Sequence, residues 1–537
     1  MPWFVWLPLS VMVLFVVGWF LGPPVLRSLI KSRLQNYRIP VNTVDSSLPA
    51  TLTSPRRVAV LGGGVAGLTA AITLARRGFQ VEVFEANPYL GGKLGSWKVE
   101  LAPGEHAWVS HGFHAFFANY YNLDRFLGSM GLRTGFQSIG EYVILGTTGA
   151  QVRFGKLDTT PVLNLIALAR AGVYRFRDVL KAPARDLFGV FLEYDAKETF
   201  ERYDKVSFAD FDRLTQLPPG LKLAFNTFAR AFFSDEDKLS LAELIKSFHF
   251  YYLSQDGGLV YEYPVHDYEP AFLAPMRAEL EKHGAKVHLS TKVSSLVKSG
   301  DGFTVNGAAF DRVVLSTDIV GARSIMTAAT GVPDEVKARF EALVPGQRYA
   351  VLRVWIDKDV REGYPPFVIT DRVKVLDAFT TYHRFEQEAA EWTKKHGGAV
   401  LELHCYAVPE GMTPDEVKQA LLDELVQFFP ELKGYTLKHE VFQLNRNFTA
   451  FHLGMSAHRP ETESGVAGLL CAGDWVKLPF PAMLLEAACA SGYVAANALL
   501  REAGVREELV ESVPLKGLMA GMPQPPARKL LIPGGGK

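Results

Sequence analysis

The sequence predicts an α/β fold: a Rossmann-like nucleotide-binding domain assembled from separate stretches of chain, interrupted by a discontinuous second domain and preceded by an N-terminal transmembrane helix. Three observations predict it. Residues 58–67 read VAVLGGGVAG, a β-branched run that breaks into glycines before a helix-forming stretch. Residues 466–500 run from strand to glycine to a small-residue helix at the far end of the chain. Residues 3–22, WFVWLPLSVMVLFVVGWFLG, carry no charge.

The βαβ unit comes first. Val58–Leu61 form a buried strand, Gly62, Gly64 and Gly67 satisfy G-x-G-x-x-G, and Leu68–Arg77 continue as a helix. Gly78 ends the helix, and Gln80–Glu85 form a second strand. The first glycine makes the tight turn. The second brings the backbone, with Val65 and Ala66 at the helix start, against a pyrophosphate, and the third lets helix pack on strand. The helix N-terminus attracts the phosphate charge. Glu85 lies 21 residues beyond Gly64, where a carboxylate accepts from ribose hydroxyls.

The dinucleotide is expected to be FAD. After Glu85 and Ala86 comes a second glycine pair, Gly91–Gly92, followed by Lys93 and Leu94. A nicotinamide site does not require this pair. An extended FAD does, because its pyrophosphate and ribityl chain continue past the first loop. Close backbone approach needs glycine, and a cation there offsets phosphate charge; a plain turn is the alternative reading. The third element is a strand over Gly468–Ala472, then Gly473 and Asp474, whose carboxylate suits ribityl or ribose hydroxyls. A helix starting near Met483, Leu484 and Leu485 would aim N–H groups at the electron-rich end of a flavin.

Composition sets limits. The 537 residues exceed one ordinary domain. Charges balance at 57 basic and 57 acidic, which gives no electrostatic footprint for nucleic acid. Apolar residues make up 48%, with 36 Phe, suiting a large greasy cavity or a membrane-facing surface. Cys405, Cys471 and Cys489 have no metal or CxxC spacing and read as reduced, buried thiols. No metal is expected. Residues 3–22 suffice to cross a ~30 Å hydrocarbon core, with Trp3, Trp6 and Trp19 toward the interfaces. Arg27, Lys31 and Arg33 follow the run, so the chain beyond residue 25 is expected on the cytoplasmic face of the membrane as a single-pass protein. A cleaved signal or a buried helix is the alternative. Residues 34–55 read as a polar linker.

Taken together, GGGVAG, the E-x5-GGK stretch from Glu85, and AGDW with EAACASG resemble the FAD-dependent amine oxidase and carotenoid desaturase superfamily. SHGFHAFFANYYNL (Ser110–Leu123) resembles the segment after the flavin loop in plant-type carotene desaturases. Phe248–Met276, YHRFEQEAAEW (Tyr382–Trp392) and LELHCYA (Leu401–Ala407) resemble the aromatising, isorenieratene-synthase-like carotenoid enzymes, which convert a β-ionone ring to an aromatic ring. The resemblance covers residues 56–502. It implies a composite FAD domain of the glutathione-reductase/amine-oxidase type. It also implies backbone near Val293 against the adenine, and Gly112 and Phe113 near the isoalloxazine. The membrane span departs from the typical aromatising enzyme.

This gives the expected organisation. Residues 1–25 are the anchor and 26–55 the linker. Residues 56–120, 276–330 and 456–505 are three parts of the FAD domain. Residues 121–275 form a helical, substrate- or membrane-facing region, 331–455 a substrate-domain sheet and 506–537 the tail, whose PQPPARKLLIPGGGK reads as poorly ordered. The helical spacing of Phe225, Phe228 and Phe232 fits either core packing or a substrate tunnel. A carotenoid or other polyisoprenoid offers no heteroatom to grip, so binding must come from apolar burial, and an anchor keeps the enzyme beside a lipid-dissolved substrate. Quinone, which shares the membrane, is the expected electron acceptor. Aromatisation needs hydride loss, a 1,2-methyl shift through a cation, aromatic faces to stabilise it and a weak base. His111 and His114 are the candidates for acid–base work or flavin contact, against simple satisfaction of backbone groups. His266, Asp267 and Glu269 form a second cluster that also reads as a solvated loop. Glu486 is either a buried carboxylate near the flavin or a helix-start charge. Acyclic carotene desaturation, carotene cis–trans isomerisation and amine oxidation remain alternative activities.

Overall fold

The computed structural model describes residue 28 and residues 37–521, apart from 148–150, 156–158, 162, 176, 178–188 and 258–259. The span expected over residues 3–22 lies outside the described residues. Among the described residues no helix is long and apolar enough to cross a membrane.

Three distant stretches of chain build one parallel sheet. Its order is Lys286–His288, Gln80–Phe84, Arg57–Leu61, Arg312–Leu315 and Leu469–Cys471. Strands covered on both faces read as continuous apolar runs. VAVL and VVL are such runs, and Val58, Val60, Val313 and Val314 are wholly buried. Helix Val65–Arg76 follows the central strand. It ends where Gly78, at φ +88°, takes the left-handed conformation and Phe79 N–H turns back to Leu74 O. Helix Leu484–Glu502 packs on it. The approach is close because Gly492 has no side chain: a Cβ there would lie 2.4 Å from Ala66 O.

The second sheet has seven strands in the order Leu437–Asn445, Tyr349–Ile356, Ala399–Cys405, Ala378–Thr381, Phe367–Thr370, Tyr142–Leu145 and Gln151–Arg153. All pairs are antiparallel except Phe367–Thr370 with Tyr142–Leu145. The stretch 121–275, expected to be helical, therefore contributes two strands here. The β-branched pair Val143–Ile144 prefers the pleated surface, and the parallel pairing with Phe367–Thr370 fixes it there. A small sheet of Phe116–Phe117, Tyr261–Pro264 and Phe136–Ser138 also comes largely from this region. The remainder is helical, including Leu163–Arg170, Phe208–Thr215, Pro219–Arg230 and Leu241–Phe248.

Linker and tail meet where they are described. Ile39–Pro40 pairs antiparallel with Glu511–Ser512. The Asn42 amide donates to Glu508 O at 2.9 Å and its oxygen accepts from Val510 N–H at 2.8 Å. Val510 and Val513 are buried, so the start of the tail packs onto the body. The run PQPPARKLLIPGGGK lies outside the described residues.

Candidate active site

One cavity begins at the C-terminal ends of the parallel strands and continues beneath the seven-stranded sheet, the location ligands take in open α/β sheets. Its first half is a backbone cradle. Gly62 stands at φ +110°, and a Cβ on it would lie 2.7 Å from Ser316 O. A Cβ on Gly67 would lie 2.0 Å from Gly62 O, so the first and third glycines are demanded by the chain itself. At Gly64 a Cβ would meet only Gly92 Cα at 3.8 Å and Gly91 O at 4.0 Å, ordinary contacts, and Gly64 lines the cavity. The second glycine pair packs against the first loop: Gly91 N–H donates to Gly63 O at 2.8 Å, and Gly91 and Gly92 have φ of +100° and +58°. Two helices begin at this cradle, after Gly64 and after Met483, and neither has a side-chain cap. Their first N–H groups are the orphan donors of a helix N-terminus, and Val65, Ala66, Leu484 and Leu485 line the cavity. Leu484 sits at φ +48°, a conformation costly for a leucine and typical of functional sites. An open glycine cradle with two uncapped helix ends fits a flavin dinucleotide, whose pyrophosphate and electron-rich ring end each meet N–H donors.

The carboxylates around the cradle are held in place. Glu85 accepts from Gly63 N–H at 2.8 Å through one oxygen, and from Asn87 N–H at 2.8 Å and its amide at 2.9 Å through the other. Oε2, with a single partner, retains a lone pair for a ribose hydroxyl, whereas Oε1 is filled by its two. Lys93, expected to offset phosphate charge, is instead paired with Asp474 at 2.8 Å and lies 4.4 Å from the Phe448 ring centroid. The Asp474 carboxylate, expected to be free for ribityl or ribose hydroxyls, also accepts from Thr449 Oγ1 at 3.1 Å. The turn carrying it is fixed by Trp475, whose indole N–H donates to Thr317 O at 2.9 Å, and by Arg459, which donates to Asp474 O at 2.8 Å. Ala86, Leu94, Phe113, Val293 and Gly473 also line the cavity. Gly67, Gly112 and Met483 do not: the two glycines stand behind its wall, and the Met483 side chain is buried with Sδ 3.6 Å from Ser247 Oγ.

His111, Phe113 and His114 line the middle of the cavity. They follow strand Glu105–Ser110, and the turn depends on Gly112 at φ +115°. His111 Nε2 lies 3.0 Å from Tyr89 OH, and its Nδ1 is buried without a partner. His114 Nδ1 is 2.8 Å from Gly112 O. A carbonyl can only accept, so that nitrogen carries the hydrogen. Burial, aided by His111 and His404, lowers His114 to about 4, so it is neutral near pH 7. Burial also lowers His111. The second cluster is elsewhere: His266 is exposed and pairs with Glu388 at 3.0 Å, while Asp267 is buried and accepts from Ser96 Oγ at 2.5 Å. Neither they nor Glu269 line the cavity. Glu486 is a cap. Its carboxylate accepts from Asn122 N–H at 2.9 Å and Leu123 N–H at 3.0 Å, in the first turn of helix Tyr121–Gly128.

Beyond the histidines the wall is aromatic. Phe113 stacks on Phe367 at 5.0 Å and meets Tyr261 edge-on at 6.0 Å. Tyr120 and Tyr251 share a hydrogen bond of 3.0 Å. Helix Leu241–Phe248 widens into a π turn over His249–Leu253, and Tyr251 and Tyr252 on this turn line the cavity. Burial holds the Tyr251 and Tyr261 phenols well above their ordinary range, so they present neutral π faces. Leu165, Leu168, Leu221 and Phe225 line the far end. Phe225 and Phe232 thus serve both core and cavity. The lining carboxylates and lysines, Glu85, Asp318, Asp474, Lys93 and Lys292, all belong to loops of the cradle half.

Residues not singled out from the sequence complete the middle. Glu402, His404 and Tyr406 project from the Ala399–Cys405 strand and its continuation, and His404 and Tyr406 line the cavity. Arg353 on the neighbouring strand donates to Glu402 Oε2 at 2.9 and 2.7 Å, with both side chains buried. Phe113 N–H donates to Glu402 Oε1 at 3.0 Å. The signal that would have found them is the period of two in LELHCY, which places Glu402, His404 and Tyr406 on one face of a strand.

The chain matches the flavin-containing amine oxidoreductase family over residues 65–500. It is 33% identical to a carotenoid phi-ring synthase of Streptomyces griseus over 478 residues, covering 86% of this chain and 91% of that one. A carotenoid phi-ring synthase of Chlorobaculum tepidum is 26% identical, with 89% and 93% covered. Among solved structures, cyclohexylamine oxidase of Brevibacterium oxydans superposes with a TM-score of 0.60 over 83% of this chain and 99% of that one, at 15% identity; at that identity the likeness shows the fold.

Proposed function

The chain belongs to the flavin-containing amine oxidoreductase family and is an FAD-dependent oxidoreductase; from that premise we propose that it acts on a carotenoid, desaturating a β-ring with methyl migration to give an aromatic ring. The carrying observation is a cavity that joins a flavin cradle to a long aromatic chamber whose far half, among the described residues, is lined by no charged side chain. Similarity to two carotenoid phi-ring synthases supports the ring chemistry. When bound, FAD supplies the hydride acceptor. Gly62–Ala66, Gly91–Gly92 and the helix start at Leu484–Leu485 are the residues that would hold it.

The chain's own residues do the rest. Apolar burial binds a substrate without heteroatoms, each Å² removed from water contributing about 25 cal/mol. Phe113, Phe367, Tyr261 and Tyr251 surround the chamber entrance with π faces, which stabilise a carbocation within about 6 Å. Aromatic walls offer water few hydrogen-bond partners, which disfavours trapping of such a cation as an alcohol. An amine substrate is disfavoured, because among the described residues no carboxylate lines the aromatic half to hold an ammonium. We extend the proposal to location. The apolar run 3–22 anchors the chain on the cytoplasmic face, where lipid supplies the carotenoid and a quinone takes the electrons.

The test is expression of the full chain in a bacterial host that accumulates β-carotene, with pigments followed by chromatography, mass spectrometry and NMR. Loss of hydrogens without loss of carbon, and aromatic ring protons, are expected. An unchanged pigment profile with folded, flavin-loaded protein overturns the β-ring assignment and redirects the search to acyclic carotenes.

A further inference from the structure

Aromatisation ends in a deprotonation, and the histidines in the middle of the cavity differ in their fitness for it. His114 is bonded through Nδ1 to Gly112 O and is a weak base. His111 contacts Tyr89 OH through Nε2. His404 is held differently. Its Nε2 lies 3.0 Å from Glu402 Oε1, at ion-pair distance but off the line of a hydrogen bond, and both side chains are buried. Glu402 is itself ionised: burial would raise its carboxyl, but the Arg353 charge and His404 bring it down to about 2. An ionised carboxylate at Nε2 favours the tautomer with the hydrogen on that nitrogen, which leaves Nδ1 with a bare lone pair. Among the described residues Nδ1 has no hydrogen-bond partner. It belongs to the ring edge facing Gly112, where a Cβ would lie 2.9 Å from Cε1 and 3.3 Å from Nδ1. A side chain at 112 would press on that edge, and His404 lines the cavity.

Resting on the proposed ring chemistry, we propose that His404 is the proton acceptor of the final aromatising step, with Glu402 and Arg353 as positioning residues. After hydride loss to the flavin and the methyl shift, a ring C–H bond of the cation breaks. Its electron pair becomes the last ring double bond, and the proton goes to Nδ1 and from there to water. The arrangement is that of a base oriented by a buried carboxylate. The charged and titratable groups facing His404 are Glu402 and Arg353 from the sheet, His111 and His114 from the loop after Ser110, and Tyr406 from its own strand.

The experiment compares parent and His404→Gln in the β-carotene host, with flavin content and thermal melting measured on purified protein. The expected result is a folded, flavin-loaded variant that aromatises about 10²-fold more slowly or worse and accumulates partly dehydrogenated, non-aromatic rings. A variant giving the parent's products at the parent's rate overturns the proposal. Should the variant not fold, ¹⁵N-histidine NMR of the parent decides: a bare Nδ1 on the ring contacting Gly112 supports it, and a hydrogen on Nδ1 overturns it. A parent that leaves β-carotene untouched removes the function and this role together, before any variant is made. A parent that aromatises beside an unchanged variant removes this role alone.

Discussion

Replacing Arg353 by methionine and Glu402 by glutamine, singly and together, measures the buried pair beneath the cavity. The side chains are 1% and 0% exposed. Arg353 also donates to Trp108 O at 3.2 Å and Ser110 Oγ at 3.3 Å, so it ties both sheet strands to the strand that presents His111–His114. In Arg353→Met the carboxylate keeps only Phe113 N–H and His404 as partners. In Glu402→Gln the guanidinium loses its counter-charge. Breaking a buried pair from one side costs about 3–5 kcal/mol, because it strands the remaining charge. The double variant strands none, so it is expected to cost about 2–3 kcal/mol less than the two singles summed. Urea unfolding followed by tryptophan fluorescence is the assay, and buried Trp355, two residues along the Arg353 strand, is a suitable reporter. Single variants within about 0.5 kcal/mol of the parent, or a strictly additive double, would refute the argument that these charges are desolvated and mutually dependent.

Gly67→Ala is expected to abolish flavin retention, since its Cβ would lie 2.0 Å from Gly62 O; flavin absorbance per protein after gel filtration checks this. Leu168→Trp, at the far end of the chamber, is expected to reduce conversion of a long substrate and leave flavin content unchanged, read by pigment yield and absorbance. His114 gives a pH signature. Its folded value of about 4 lies below the roughly 6.5 of an unfolded histidine. Between these values the unfolded chain binds the extra proton, so the contribution is full above pH ~6.5 and is lost as pH falls toward 4, by at most about 3 kcal/mol. His114→Gln should flatten that part of the stability–pH curve. His249, lowered to about 4 by burial and remote from the cradle loops, should keep its own share in the variant.

How much was legible in the sequence depended on whether the constraint was local. The glycines at 62, 64 and 67 are fixed by backbone angle and contacts within one βαβ unit, so six consecutive residues announce them. The second glycine pair and the turn at Gly473–Asp474 are equally local. That the two glycine loops and a turn several hundred residues further on enclose one cavity followed from the chemistry of a single long cofactor. The strands at Tyr142–Leu145 and Gln151–Arg153 were read as part of a helical region; they pair with each other, and only the pairing of Tyr142–Leu145 with Phe367–Thr370, more than two hundred residues on, fixes them in the sheet. Glu486 was ambiguous because its partners, Asn122 and Leu123, are distant in sequence.

The sequence by itself determined the nucleotide cradle and the family, because steric demands on glycine and the strand–loop–helix order are written in adjacent residues. Only the tertiary structure decided what stands around the reacting region. It neutralised Lys93 with Asp474, turned Met483 into the core, and set Arg353 against Glu402 across two strands 49 residues apart in their paired positions. A charge in an apolar strand reads as an anomaly until its partner is known. The pairing register of the sheet supplies that partner, and with it the orientation of His404.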